Sequence, residues 1–161
     1  MSINETIFRQ TMRFWTTGVA IVTTNFEGNR HGMTVSSFSS ISVDPPVIMV
    51  SINQNTRTYQ LMKKSGIFGV TILESSQQHT SDKFAGLIPE DTDRFAGIET
   101  ETLTTGAPFI SGGIAFLDCK ISQAVDVGHN TVFFGEVVDA KNQEDLIPLL
   151  YSNRTYGSLH K

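Results

Sequence analysis

The stretch Gly32 to Ser40, GMTVSSFSS, gathers small hydroxyl side chains: Thr34, Ser36, Ser37, Ser39 and Ser40, with Ser42 just beyond. Each hydroxyl both donates and accepts. Such a run suits the polar edge of a small molecule, or water, better than a dry core. A second concentration is Ser51, Ile52 and Asn53, which end an apolar stretch just before Asn55, Thr56 and Arg57. A helix starting there offers unpaired N–H groups and the positive end of its dipole, and Arg57 adds a charge. That chemistry binds phosphate.

Other chemistries lack their residues. His31, His79, His129 and His160 lie far apart, and none has the H-x-H or H-E-x-x-H spacing of a metal site. No metal is expected. Cys119 alternates with apolar residues and reads as a buried structural thiol. Neither G-x-G-x-x-G nor G-x-x-x-x-G-K-[ST] occurs, and no G-x-S-x-G elbow marks a hydrolase serine. The absence is informative if a cofactor carries the chemistry, because the reaction then needs no side-chain nucleophile.

The elements that position these residues follow from periodicity. Ile3, Ile7, Phe8, Met12 and Trp15 recur at helical spacing and predict an amphipathic opening helix, with Phe14 and Trp15 in its packing. GVAIVTTN (Gly18 to Asn25) reads as a strand, EGN (Glu27 to Asn29) as a turn, and the hydroxyl run as the return strand. DPP stops the chain before the strand VIMVSI (Val47 to Ile52). TRTYQLMKKSG reads as a helix capped by Asn55 or Thr56 and stopped by Gly66. IFGVTIL is another strand, and Ser75 to Gln78 has the S-x-x-Q form of a capping box for a helix ending near Gly86. Ala115, Leu117, Cys119 and Ile121 alternate with Phe116, Asp118 and Lys120, as in a half-buried strand, with TVFFGEVVDA as hairpin partner after GHN. Strands dominate without strand–helix alternation, so the pattern predicts a closed or partly closed β-barrel with peripheral helices.

The whole of residues 1–161 reads as one domain, of 39% hydrophobic and 17% charged residues. A net charge of −4 without a Lys/Arg cluster argues against nucleic acid. No apolar run is long enough for a membrane span, no secretory signal is visible, and a lone cysteine fits a cytoplasmic protein.

The ordered set FRQTMRFWTTGVAIVTT, GMTVSSFSSISVDPPVIMVSI, NTRTY, FGVTIL, FAG, DRF, GAP, FLDCKI, FFGEVV and PLLYSNRTYGSL, over residues 7 to 159, resembles the short-chain flavin reductases. These are reductase components of two-component flavin-dependent monooxygenases, in the FMN-binding split-barrel superfamily. The resemblance implies a mainly β fold, a six-stranded antiparallel Greek-key split β-barrel with short peripheral α-helices, and a homodimer. It implies NADH or NADPH as hydride donor, FMN or FAD as acceptor, and a separate oxygenase receiving the reduced flavin. Two alternatives stay open: a tightly bound FMN electron carrier of flavoredoxin type, and a non-catalytic flavin-binding module.

The resemblance places Thr34, Val35, Ser36 and Ser37 along the flavin ring and ribityl chain. It places the phosphate at Ser51, Ile52, Asn53, Thr56 and Arg57, and a flavin wall at Phe84, Ala85 and Gly86. Asp93, Arg94 and Phe95 match the family, although a salt bridge and a packed ring explain them equally well. Relatives carry Gly-Asp-His where this chain has Gly128–His129–Asn130, so either Asn130 takes the ligand-facing place or a bent turn brings His129 there. Tyr151, Arg154 and Tyr156 match the C-terminal segment, where tyrosine can stack on a ring and arginine can meet a phosphate.

Overall fold

The computed structural model describes residues 3–89 and 92–159; His160 lies outside them. The chain opens with α1 (Glu5–Met12), capped by Asn4, whose Oδ1 accepts the Thr6 N–H at 2.7 Å. The expected helix is there, but it buries none of its residues, and Ile7 and Phe8 on its apolar stripe are more than half exposed. Phe14 and Trp15, expected in helix packing, are 77% and 69% exposed. Periodicity gave the stripe correctly; none of the described residues buries it.

Next come β1 (Thr17–Gly18), β2 (Ala20–Phe26) and β3 (Asn29–Val35), so the expected first strand is divided at Val19. The β2–β3 turn places Glu27 and Gly28 at positive φ. β3 ends at Val35, and the hydroxyl run is not one strand: the chain bends at Ser36 and resumes as β4 (Ser39–Val43). β5 (Pro46–Asn53) leads into α2 (Arg57–Ser65). Thr56 is the cap, its Oγ1 accepting the Tyr59 N–H at 3.2 Å, and Gly66 ends the helix at φ 70°. A left-handed stop of this kind favours glycine because other residues meet their own Cβ there.

β6 (Ile67–Ile72) precedes α3 (Gln78–Phe84). The predicted capping box does not form. Gln77 stands at the cap without a side-chain capping bond, and Glu74 takes both serines: its carboxylate accepts from the Ser75 and Ser76 hydroxyls and the Ser76 N–H. β7 (Thr100–Thr102) and β8 (Pro108–Ile110) form a small ladder. β9 (Ala115–Val127) and β10 (Asn130–Asn142) form the long hairpin, turning at Gly128 and His129. β11 (Leu149–Ser152) and β12 (Thr155–Ser158) close the chain, β11 pairing with β1.

The main sheet is antiparallel, with seven strands ordered β3-β2-β6-β9-β10-β5-β4. It therefore has one strand more than the resemblance implies, and no ladder joins β3 to β4 among the described residues. The sheet is nonetheless curled. Ala20, Val22 and Val35 from one end share a core cluster with Ile48, Val50 and Ile52 near the other, together with Tyr59 and Met62 of α2. The helix fills the mouth between the two ends.

A second cluster lies behind β2, where Val19 and Ile21 meet Leu73, Phe84, Phe95, Ile110 and Leu149. Successive residues of β2 thus feed opposite cores, which explains its unbroken β-branched run. β9 also departs from the half-buried pattern: Phe116, Asp118 and Cys119 are all buried. Asp118 is satisfied by the Thr105 N–H at 2.7 Å and the Thr105 hydroxyl at 2.5 Å. On β10, Gly135 faces Phe68 and Cys119 so closely that a Cβ would collide with both.

Candidate functional site

Four hollows join end to end along β3 and the bend after it. The first, about 140 Å³, is walled by His31, Thr34, Thr56 and Phe84, with Ala85 and Gly86 at the C-terminal end of α3. The second, about 220 Å³, shares Thr34 and Ala85 and adds Val35, Ser36, Tyr151 and Tyr156. Ser36 and Tyr151 continue into a third of about 470 Å³, which also takes Ser37, Ser39, Arg13, Trp15 and Arg154. The fourth extends from the opposite end, sharing His31 and Arg94 with the first and adding Arg30, Arg57 and Asp93. Together they make one groove, cationic at both ends.

The hydroxyl run divides its labour. Thr34 donates to the Ser81 carbonyl at 2.6 Å, fixing β3 to α3. Ser37 exchanges bonds with the backbone of Ser51, donating to its carbonyl at 2.9 Å and accepting its N–H at 3.1 Å. This clamp holds the bend against β5. Ser36 is exposed, makes no such bond, and lines two hollows. Val35 is buried beneath them as apolar floor. Ser40 and Ser42 line none of the four.

At the α2 end, the Ile52 side chain is wholly buried in the core and has only its backbone to offer. Asn53 shapes the helix entry: its Oδ1 accepts the Asn55 N–H at 2.9 Å, and its carbonyl accepts the Thr56 hydroxyl at 2.8 Å. Arg57, in the first turn, is exposed on the fourth hollow. Phe84 is fully buried edge-to-face on Phe95 at 5.1 Å, leaving Ala85 and Gly86 as the exposed part of that wall. The Asp93–Arg94–Phe95 triplet is structural. Arg94 Nη1 donates to the carbonyls of Gly32 at 3.0 Å and Phe84 at 3.1 Å, while Arg30 lies over the Phe95 ring and 3.8 Å from Asp93.

His129 and Asn130 are exposed at the hairpin turn and line none of the four hollows. Their carbonyls hold Gln54, accepting from its N–H at 3.0 Å and its amide at 3.4 Å respectively. Tyr151 and Tyr156 meet edge-to-face at 5.1 Å on the groove wall. The Tyr156 hydroxyl donates to Asp82 at 2.8 Å and lies 2.9 Å from the Ser81 hydroxyl; burial pushes its pKa up.

Sequence reasoning passed over several groove residues, His31, Ser81 and Trp15 among them. His31, buried on β3, bonds through Nδ1 to Thr58 on α2 at 2.8 Å; its alternation with Met33 and Val35 was the available signal. Ser81 carries both Thr34 and Tyr156. Trp15, assigned to packing, stands on the third hollow. Cys119 is buried as expected, its thiol pushed up to about 12 by desolvation, and is inert as a nucleophile.

Residues 12–160 match the family model described as "Flavin reductase like domain". The chain is 34% identical over 158 residues to the FMN reductase (NADH) RutF of Pseudomonas syringae pv. syringae, covering 98% of this chain and 88% of that one. It superposes on the styrene monooxygenase flavin reductase SMOB of Pseudomonas putida S12 with a TM-score of 0.85 at 33% identity, covering 96% and 97% of the two chains. For the Streptomyces globisporus C-1027 NADH:FAD oxidoreductase SgcE6, solved with NAD and FAD fragments, the TM-score is 0.90 at 26% identity, covering 99% and 97%. The chain belongs to the flavin reductase family.

Proposed function

We propose that this protein is an NAD(P)H-dependent flavin reductase that binds FMN or FAD in the groove along β3 and supplies reduced flavin to a separate monooxygenase. The observation that carries the reading is the groove itself. It offers polar atoms along Thr34 to Ser37, an apolar wall at Val35 and Ala85, and the N-terminus of α2 with Arg57 at one end. That donor set fits a flavin, whose ring is flat and apolar on its faces, polar on one edge, and tethered to phosphate.

When bound, a flavin would supply the hydride-accepting chemistry, with a nicotinamide as donor. The chain's own residues bind and align the two rings and exclude water. In this reading, Thr34, Ser36, Ser51 and the backbone of Ile52 meet the ring edge and ribityl chain. Asn53, Thr56 and Arg57 hold phosphate, Phe84 backs the wall made by Ala85 and Gly86, and Tyr151 covers the ring.

The finer points belong to the same proposal. The curled seven-stranded sheet corresponds to the split barrel, with β4 as an addition to its six strands, and residues 1–161 act as one domain. NADPH serves beside NADH. The protein works in the cytoplasm as a homodimer, whose contact surface includes the uncovered apolar stripe of α1 with Ile41 and Val43. A light-scattering mass of two chains tests the dimer. The reaction is tested by steady-state oxidation of NADH and NADPH with FAD, FMN and riboflavin in turn. Nicotinamide oxidation dependent on added flavin is expected; none in any combination overturns the proposal.

A further inference from the structure

The second hollow has two walls from different parts of the chain. Ser81 and Ala85 come from α3 and its C-terminal cap, Tyr151 and Tyr156 from β11 and β12. The α3 wall is lightly built. The helix has seven residues, no side-chain bond at its N-cap, and only Ser81 and Phe84 buried. A helix this short gains little from its own backbone bonds, so its place is set by what it touches. At its C-terminal end, Phe84 packs on Phe95 and Arg94 holds the Phe84 carbonyl.

On the groove side the helix is held by hydroxyls. Thr34 donates to the Ser81 carbonyl at 2.6 Å, and Tyr156 donates to the Asp82 carboxylate at 2.8 Å. The Tyr156 oxygen also lies 2.9 Å from Ser81 Oγ. A carboxylate only accepts and a phenol has one proton, so the direction of each bond is settled: Ser81 donates to Tyr156, and Tyr156 to Asp82. The Tyr156 ring meets Tyr151 edge-to-face at 5.1 Å. One side chain therefore carries α3 on its hydroxyl and Tyr151 on its ring. Asp82 lines none of the four hollows and reaches the groove only through Tyr156.

We propose that Asp82 and Tyr156 are positioning residues for the flavin ring, a latch that joins α3 to β12 and sets the spacing between Ala85 and Tyr151. The proposal rests on the flavin reductase reading, in which these two walls enclose the ring. With the latch open, the short helix is free to draw back, and the ring keeps contact with one wall only.

Equilibrium titration followed by flavin fluorescence reads the latch without turnover. Tyr156→Phe and Asp82→Ala each remove the same bond. Each should weaken riboflavin and FMN alike, by about fivefold, because both ligands carry the ring. The double variant should bind no more weakly than the weaker single one, since no second bond is lost. Asp82→Asn keeps an acceptor for the phenol and should stay within about twofold of the parent. A bond that serves stability alone would lower the melting temperature and leave these affinities in place. Unchanged affinity in both single variants therefore overturns the proposal, whatever their melting temperatures. Weakening confined to FMN overturns it too, by moving the effect to the phosphate, as does additive loss in the double variant. Failure of the underlying reading looks different: a parent that binds neither flavin overturns the flavin reductase reading and the latch together.

Discussion

At the α2 end of the groove, Arg94 is nearly buried and gives its hydrogen bonds to the Gly32 and Phe84 carbonyls, and Arg30 lies against Asp93 and the Phe95 ring. At the β11–β12 end, Arg13 and Arg154 reach the third hollow without a carboxylate beside them. The same residue type therefore does two jobs. Where guanidinium groups are spent on backbone and ring, they hold α3 against β3 and fix the shape of the flavin wall. Where they are unspent, charge is left for a ligand. Arg57 shares the α2 end with the committed pair but belongs with the uncommitted, since it stands exposed in the first turn of its helix.

Breaking the committed side should have the largest effect. Arg94→Met keeps an apolar stem but leaves two buried carbonyls without their donor. A hydrogen bond to a charged group contributes about 1.5–3 kcal/mol, so the pair predicts a loss of about 3 kcal/mol or more in urea denaturation. Unchanged stability would place Arg94 with the ligand-binding arginines instead. Arg57→Ala should do the reverse. Its stability should stay within about 0.5 kcal/mol of the parent, as for exposed positions. Binding of FMN and FAD should weaken about tenfold relative to riboflavin, which has no phosphate. Equal weakening for all three flavins would remove the phosphate role and leave α2 an ordinary surface helix.

The contrast also explains what could be read from the sequence. Local rules held where the partner lies within a turn or a hairpin: Thr56 caps α2, Gly66 stops it, and Gly128 turns β9 into β10. They failed where a distant residue decides. The run Gly32 to Ser40 reads as one strand, yet it breaks at Ser36 because Ser37 is clamped to Ser51 on β5. His31 reads as one of several scattered histidines, because its partner Thr58 lies on another element. The S-x-x-Q capping box does not form, and the neighbouring Glu74 carboxylate takes the same serines. Trp15 carries the periodicity of packing, and periodicity does not say which surface, or which ligand, covers a stripe. The groove's hydroxyls were legible as a composition. Which of them face a ligand depends on pairing across the curled sheet.

The smallest effect tests how the two ends are joined. Tyr156 stands between them, its ring against Tyr151 on the groove wall and its hydroxyl on Ser81 and Asp82 of α3. Tyr156→Phe removes one donor and should cost about 1 kcal/mol at neutral pH. Burial raises the pKa of this hydroxyl above the ordinary tyrosine value, with the Asp82 carboxylate adding to the shift. Its contribution to stability is therefore complete below about pH 10, where folded and unfolded chains both keep the proton. Above that pH the unfolded chain releases its proton first, and stability falls until the folded value is passed. Denaturation midpoints followed from neutral to alkaline pH should decline less steeply in Tyr156→Phe than in the parent. Identical alkaline slopes would mean that the hydroxyl is not held by α3, and the two ends of the groove would then be joined only through β3.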